Sequence, residues 1–125
     1  MRISLLFIML VSSLSVSAKP VLELSEEIVD FGVVSLDHSQ PTHAKMLEIK
    51  NIGDEPLVIN QVSSTCHCVE TEWSVKPIEP GASDSIKIEF TPDVSGVVSK
   101  KLIIYSNAQN RRTSFRVKAM VERKK

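Results

Sequence analysis

The sequence has few of the residues on which cross-linked and catalytic sites depend. Its 125 residues include only two cysteines and four glycines, and aromatic side chains make up 5%. It contains no Gly-x-Ser-x-Gly elbow, no Gly-rich phosphate loop and no His-Glu-x-x-His helix, which are local signatures of hydrolases, nucleotide-binding proteins and zinc proteases. We therefore predict that the protein is not an enzyme.

Long hydrophobic runs are also lacking after the first residues. Nothing beyond the N-terminus approaches the roughly 20 apolar residues that cross a bilayer. The one apolar run, from about Ile3 to Val16, precedes Ser17-Ala18, small residues of the kind that a signal peptidase reads. We predict that residues 1–18 are a cleavable signal peptide. Residues 19–125 are then expected to form one soluble domain, periplasmic or secreted, without a transmembrane segment.

Net charge gives no reason to expect a nucleic-acid partner, because 15 basic and 15 acidic side chains cancel. The two signs are unevenly placed, however. Residues 19–99 hold 5 basic and 14 acidic side chains, whereas residues 100–125 hold 9 basic and 1 acidic. We expect the acidic portion and the basic last strand to attract one another within one sheet or sandwich. A basic face for an anionic partner is the alternative.

Short alternations of apolar and polar residues, separated by turn residues, make up the rest of the chain. They cover residues 28–36, 44–51, 57–60, 84–90, 97–107 and 111–125. The residues expected to point inward are Leu47, Ile49, Leu57, Ile59, Ile86, Ile88, Phe90, Leu102, Ile104, Phe115, Val117, Ala119 and Val121. About seven such strands in about 100 residues predict an all-β, immunoglobulin-like β-sandwich.

The two cysteines stand one residue apart, in Cys66-His67-Cys68. This spacing excludes the bridge between sheets that antibody-type domains carry. A disulfide within the segment closes a ring of three residues, which by chain entropy stabilises a fold by only about 1.6 kcal/mol. In an extended strand, residues two apart lie about 6.5 to 7 Å from Cα to Cα, so a disulfide here requires a bent backbone.

Three other roles for the segment stay open. In a strand, the side chains of Cys66 and Cys68 point to the same face, where their two thiolates would bind one soft ion such as Cu(I) or Zn(II). His67 would be a third ligand only if the segment is a loop. A reactive pair that exchanges with other thiols requires exposure and a stabilised thiolate. The last alternative is a pair of small, semi-buried packing residues with no chemistry of their own. The candidates for further metal ligands are His38, His43 and Met46. We expect instead that the two histidines are ordinary loop residues and that Met46 is a packing residue.

In its order and spacing, the chain resembles the bacterial family called domain of unknown function 1573. The segments FGVV, LEIKNIGDEPLVINQVSSTCHCVE, PIEPG, IKIEF and LIIYSNA carry this resemblance, from about Phe31 to Val121. Members look like exported immunoglobulin-type sandwiches, with a hallmark close to Ser-Cys-Gly-Cys-Thr after an Asn-x-Gly-x-x-Pro-Leu turn. The matching positions are Asn51, Gly53, Pro56, Leu57, Cys66, Cys68, Pro80 and Gly81.

Two residues depart from the family pattern. His67 stands where the family usually has Gly, and Val69 where it usually has Thr. A central Gly can adopt φ > 0, which a tight disulfide turn favours, whereas His meets a steric cost there. This departure disfavours the disulfide and adds an imidazole for a metal. The family has no established activity to carry over, and a more distant likeness to cilium-associated and chaperone-like modules concerns fold alone.

From these observations we expect an exported binding or scaffolding module without a cofactor. Its expected partner is an envelope or extracellular protein, and nucleic acid is not expected. The alternative is a periplasmic protein for thiol exchange or for handling copper or another soft metal, with Cys66, Cys68 and His67 as its site. Which strands form the sheet edges cannot be read from the alternation.

Overall fold

The computed structural model describes residues 19–36 and 42–123. Within these ranges it contains β-strands and no helix, so no helix there has the length and hydrophobicity to span a lipid bilayer. The predicted signal peptide, residues 1–18, and His38 lie outside the described residues. The strands are β1 (Leu22–Leu24), β2 (Ile28–Leu36), β3 (His43–Asn51), β4 (Ile59–Ser64), β5 (Val69–Glu72), β6 (Ser83–Phe90), β7 (Gly96–Ser106) and β8 (Arg112–Arg123).

The eight strands form two four-stranded sheets packed as an immunoglobulin-like β-sandwich. The first sheet has the order β1-β3-β6-β5 and is antiparallel throughout. The second has the order β2-β8-β7-β4, in which β2 runs parallel to β8 and the other pairs are antiparallel. The edges are therefore β1 and β5 in one sheet and β2 and β4 in the other. The predicted fold class is confirmed.

The hydrophobic core lies between the sheets, where the alternation placed it. Every residue expected to point inward is buried, and Phe90 and Phe115 are the largest side chains among them. On β3, Leu47 stands opposite Ile86 of β6 and Ile49 opposite Asp84. Met46, which precedes Leu47, points to the outer face and is exposed. Burial of one face of each strand provides most of the stabilising free energy of such a sandwich.

Two turns flank the isolated bridge between Leu57 and Ile78, one before Leu57 and one after Ile78. Residues 52–56 connect β3 to this bridge. In the second turn, the amide of Ala82 donates to the carbonyl of Glu79 at 2.9 Å, and Gly81 has φ of 82°. Pro80 followed by a left-handed glycine is the sequence of a type II turn.

Candidate functional site

The Cys66-His67-Cys68 segment lies in one of the connections between the two sheets. It follows β4, an edge strand of the second sheet, and precedes β5, an edge strand of the first. His67 and Cys68 lie in a turn, and the Cα atoms of the two cysteines are 5.2 Å apart. The backbone is therefore bent, as a bond between residues two apart requires.

The structure joins Cys66 and Cys68 as a disulfide. The steric cost expected for His67 does not arise, because no residue other than glycine has a positive φ in the described ranges. The substitution of His for the family's Gly is thus compatible with the bridge, contrary to our expectation. Cys68 is buried and belongs to the core, Cys66 is half-buried, and His67 is exposed.

Hydrogen bonds on both sides of the disulfide hold the turn. The hydroxyl of Ser64 accepts from the amide of Cys66 and donates to the Cys66 carbonyl, each at 3.2 Å. The carbonyl of Cys68 accepts from the amide of Thr91 at 2.8 Å, which ties the segment to the end of β6. The amide of Cys68 donates to Sγ of Cys66 at 3.2 Å. Backbone and hydroxyl groups, and not only the sulfur atoms, therefore define this turn.

We expect the combined substitution Cys66→Ser and Cys68→Ser to lower the free energy of unfolding by no more than about 2 kcal/mol, because a three-residue ring removes little entropy from the unfolded chain. Urea unfolding of the mature protein, followed by fluorescence of Trp73, measures this. Wild type with dithiothreitol is the matched control. A variant that fails to fold would show that the bridge is structurally essential.

A metal role for Cys66, Cys68 and His67 requires the reduced protein, because in the disulfide each sulfur is already bonded to the other. Across residues 19–36 and 42–123, no group of three or more His, Cys, Asp or Glu side chains is placed to hold a metal ion. We predicted His43 in a loop, but it is the first residue of β3, opposite Phe90 of β6. Val69, which follows Cys68, pairs with Phe90 from the other side, so β6 lies between His43 and the strand that begins after the cysteines. Copper or zinc binding remains a prediction.

The uneven charge along the chain becomes a difference between the two outer faces of the sandwich. The outer face of the first sheet carries Glu23, Glu48, Glu70, Glu72 and Glu89 against Lys50 and Lys87. Lys87 forms an ion pair with Glu89 at 2.9 Å, and this hydrogen-bonded carboxylate, with Glu72 nearby, raises the pKa of the lysine above its ordinary value. This face is acidic overall.

The outer face of the second sheet is basic. We call it the basic sheet face; its cations are Lys101, Arg112, Arg116 and Lys118, against the carboxylates of Asp30 and Glu122. In the described ranges no ion pair joins these cations to a carboxylate, although Arg116 donates to the Ser99 hydroxyl at 3.3 Å. The acidic side chains of the strands thus lie mostly on the outer face of the first sheet, whereas the basic last strand lies in the second sheet of the same sandwich, between β2 and β7.

Three apolar side chains lie in a row across the basic sheet face. Met120 of β8 stands in register with Val33 of β2 on one side and Val97 of β7 on the other. The exposed fractions are 67% for Val33, 43% for Met120 and 77% for Val97. We call these residues the apolar row. Lys118, with Asp30 and Ser99 in register, forms the next row, and the two rows line an open groove of about 420 Å³.

A β-bulge in β2 creates the apolar row. Val29 is buried, so in a regular strand Val33, four residues later, would also point inward. The register shifts between Asp30 and Val33, where Gly32 has φ of 70° and its amide donates to Oδ1 of Asp30 at 2.8 Å. The extra residue turns Val33 outward and places Val34 in the core.

The apolar row and the cysteine pair lie at the same end of the sandwich. Thr91, whose amide binds the Cys68 carbonyl, begins the connection from β6 to β7, and Val97 stands at the start of β7. Sequence reasoning identified the cysteines, but it missed the row. The only signal was Gly32 within an apolar run, which is typical of a bulge.

Solved structures share this fold. A protein of unknown function from Porphyromonas gingivalis W83 superposes with a TM-score of 0.72 at 24% identity, over 86% of this chain and 50% of that one. The PapD-like domain 7 of human CEP192 gives a TM-score of 0.69 at 12% identity, over 86% and 89%. The Pseudomonas aeruginosa CupB2 chaperone gives 0.58 at 13% identity, over 79% and 55%. At these identities the likeness concerns fold alone.

This chain therefore spans half the length of the Porphyromonas gingivalis protein and about half that of the chaperone. No match is found among curated protein sequences. A family model described as "Protein of unknown function (DUF1573)" matches residues 22–121, which include both turns, the cysteine pair and most of the last strand. The resemblance noted in the sequence is confirmed, and the chain belongs to the DUF1573 family.

Proposed function

We propose that this protein is an exported binding module whose binding surface is the apolar row on the basic sheet face. The observation that carries the proposal is the alignment of Val33, Met120 and Val97 across three strands, with each side chain exposed. Single exposed apolar residues are ordinary on a protein surface, whereas contiguous ones rimmed by polar residues mark interaction sites.

The partner that fits this surface is a protein segment with an apolar side chain flanked by carboxylates. The apolar side chain would fill the groove beside Met120, and the carboxylates would face Lys118 and Arg116. Burial of the apolar side chain supplies binding free energy, while the opposite charges favour the correct orientation and faster association.

We further propose that the module acts in the periplasm or outside the cell, without enzymatic activity or a resident cofactor. The signal-like character of residues 1–18 supports export. The carboxylates of Glu48 and Glu89 are on the outer face of the first sheet, and Glu89 is paired with Lys87, so they resemble a solvated strand face more than a catalytic pair. The fold likeness to a chaperone and to a human PapD-like domain is compatible with a scaffolding role.

We expect Met120→Glu to reduce partner capture by about tenfold or more, because it places a carboxylate in the apolar row where the partner's own carboxylates approach. The measurement is crosslinking and pull-down from an envelope extract with the mature protein as bait, quantified by mass spectrometry. Met46→Glu is the matched control, since Met46 is 58% exposed on the outer face of the other sheet. Equal capture by both variants would reject this surface.

A further inference from the structure

We propose that Cys66 and Cys68 form a thiol–disulfide exchange site with unequal roles. Sγ of Cys66 is the atom that bonds to a thiol or disulfide of a partner, and Cys68 is the resolving cysteine that releases the partner. This goes beyond the binding function, because it adds a covalent step at the same end of the sandwich as the apolar row.

The first observation is the difference in burial of the two cysteines. Cys68 is 6% exposed and belongs to the core, whereas Cys66 is half-buried and only packs against the core's edge. An incoming thiolate has to reach the sulfur that it attacks, so access is one of the conditions that determine which sulfur reacts. In this structure Cys66 is the more exposed of the two cysteines, so we assign the attack to its Sγ.

The second observation is the hydrogen bond from the amide of Cys68 to Sγ of Cys66, at 3.2 Å. An amide donor stabilises negative charge on sulfur, and an apolar environment disfavours it. In the reduced pair both effects place the thiolate on Cys66 and leave Cys68 as the thiol. Exposure and hydrogen bonding thus select the same cysteine.

The third observation is that hydrogen bonds hold the turn in addition to the sulfur–sulfur bond. Ser64 holds the backbone of Cys66, and Thr91 holds the carbonyl of Cys68. With these bonds in place after the disulfide opens, the Cys68 thiol stays beside the mixed disulfide on Cys66. A thiol held next to the bond that it attacks reacts at high effective concentration.

The exchange balances without a cofactor. A partner thiolate attacks Sγ of Cys66, a partner–Cys66 disulfide forms, and the Cys66–Cys68 bond breaks as Cys68 leaves as a thiolate that takes a proton from water. A second partner thiolate then attacks the partner sulfur, which forms a disulfide between the two partner thiols and releases the Cys66 thiolate. Two partner thiols are oxidised and the protein disulfide is reduced; the same steps in reverse reduce a partner disulfide.

The test uses the mature, reduced protein with oxidised glutathione as the probe. We expect Cys68→Ser, which keeps Cys66, to gain one glutathione at least about tenfold faster than Cys66→Ser, which keeps Cys68. Wild type is expected to pass through a transient glutathione adduct and to end as the internal disulfide. Equal rates, a faster Cys66→Ser, or folded variants that both fail to react would overturn the proposal.

A second measurement does not depend on the variants. Reduced wild type is alkylated with a limiting amount of iodoacetamide, and fragment ions from the peptide that contains both cysteines locate the label. Label on Cys66 first is expected; label on Cys68 first, or equally on both, overturns the assignment. Since neither measurement involves the apolar row, Met120→Glu is expected to react like wild type, which separates failure here from failure of the binding proposal.

Discussion

Asn51→Ala is expected to lower the free energy of unfolding by about 3 to 5 kcal/mol, more than most single polar substitutions in this chain. The Asn51 side chain is completely buried at the end of β3. Its Nδ2 donates to the carbonyls of Glu55, at 2.6 Å, and Ile78, at 2.9 Å. Its Oδ1 accepts from the amides of Gly53, at 2.9 Å, and Val21, at 3.4 Å. Alanine would leave these backbone groups without partners.

Equilibrium urea unfolding measures the loss, with Asn60→Ala as the matched control. Asn60 is exposed on β4, so its substitution is expected to change stability by no more than about 0.5 kcal/mol. A change for Asn51→Ala within about 1 kcal/mol of the control would contradict the assigned role.

Asn51 also explains why the two turns noted in the family pattern belong together. Its backbone amide donates to the carbonyl of Ala82 at 3.0 Å, and its carbonyl accepts from the amide of Gly81 at 2.8 Å. Its side chain closes the turn that precedes Leu57. One residue thus connects the turn after β3 with the Pro80-Gly81 turn before β6. The resemblance indicated the positions, but not the long-range bonds; those of the Asn51 side chain to Ile78 and Val21 span 27 and 30 residues of sequence.

The strand faces were predictable because a half-buried strand has a fixed period of two. On β6, Ile86, Ile88 and Phe90 are buried as the alternation requires. The short strands were not predictable. β1 has three residues and β5 has four, too few for a period to be recognised, and Val69–Glu72 contains three polar residues of which two are glutamates. They are defined by their partners β3 and β6.

The candidate surface was less predictable than the core. The sequence separates the charges into two portions, but pairing decides that β8 lies between β2 and β7, away from the acidic strands. The parallel pairing of β2 with β8 brings Val33 beside Met120 across about 90 residues of chain. Local patterns carry no information on such long-range neighbours. The bulge at Gly32 then reverses the face that the alternation assigns to Val33.

Gly53→Ala is the substitution with the second largest expected effect, a loss of about 3 kcal/mol. A Cβ at this position would meet the carbonyl oxygen of Lys19 and lie 2.6 Å from the amide nitrogen of Val21. Both are backbone atoms, so no side-chain rotation relieves the contact. The amides of Ile52 and Asp54 donate to the carbonyls of Val21 and Lys19, at 2.9 and 3.2 Å, and hold the segment close.

The added methyl group therefore forces the 19–21 segment away from the turn and breaks those two hydrogen bonds. Urea unfolding gives the loss of stability, and hydrogen exchange is expected to show lost protection at the amides of Ile52 and Asp54. Asp54→Ala, at the adjacent exposed position, is the control that leaves the close approach intact. If Gly53→Ala retained that protection and its free energy of unfolding fell by less than about 1 kcal/mol, the close contact with the 19–21 segment would not be what excludes a side chain at position 53.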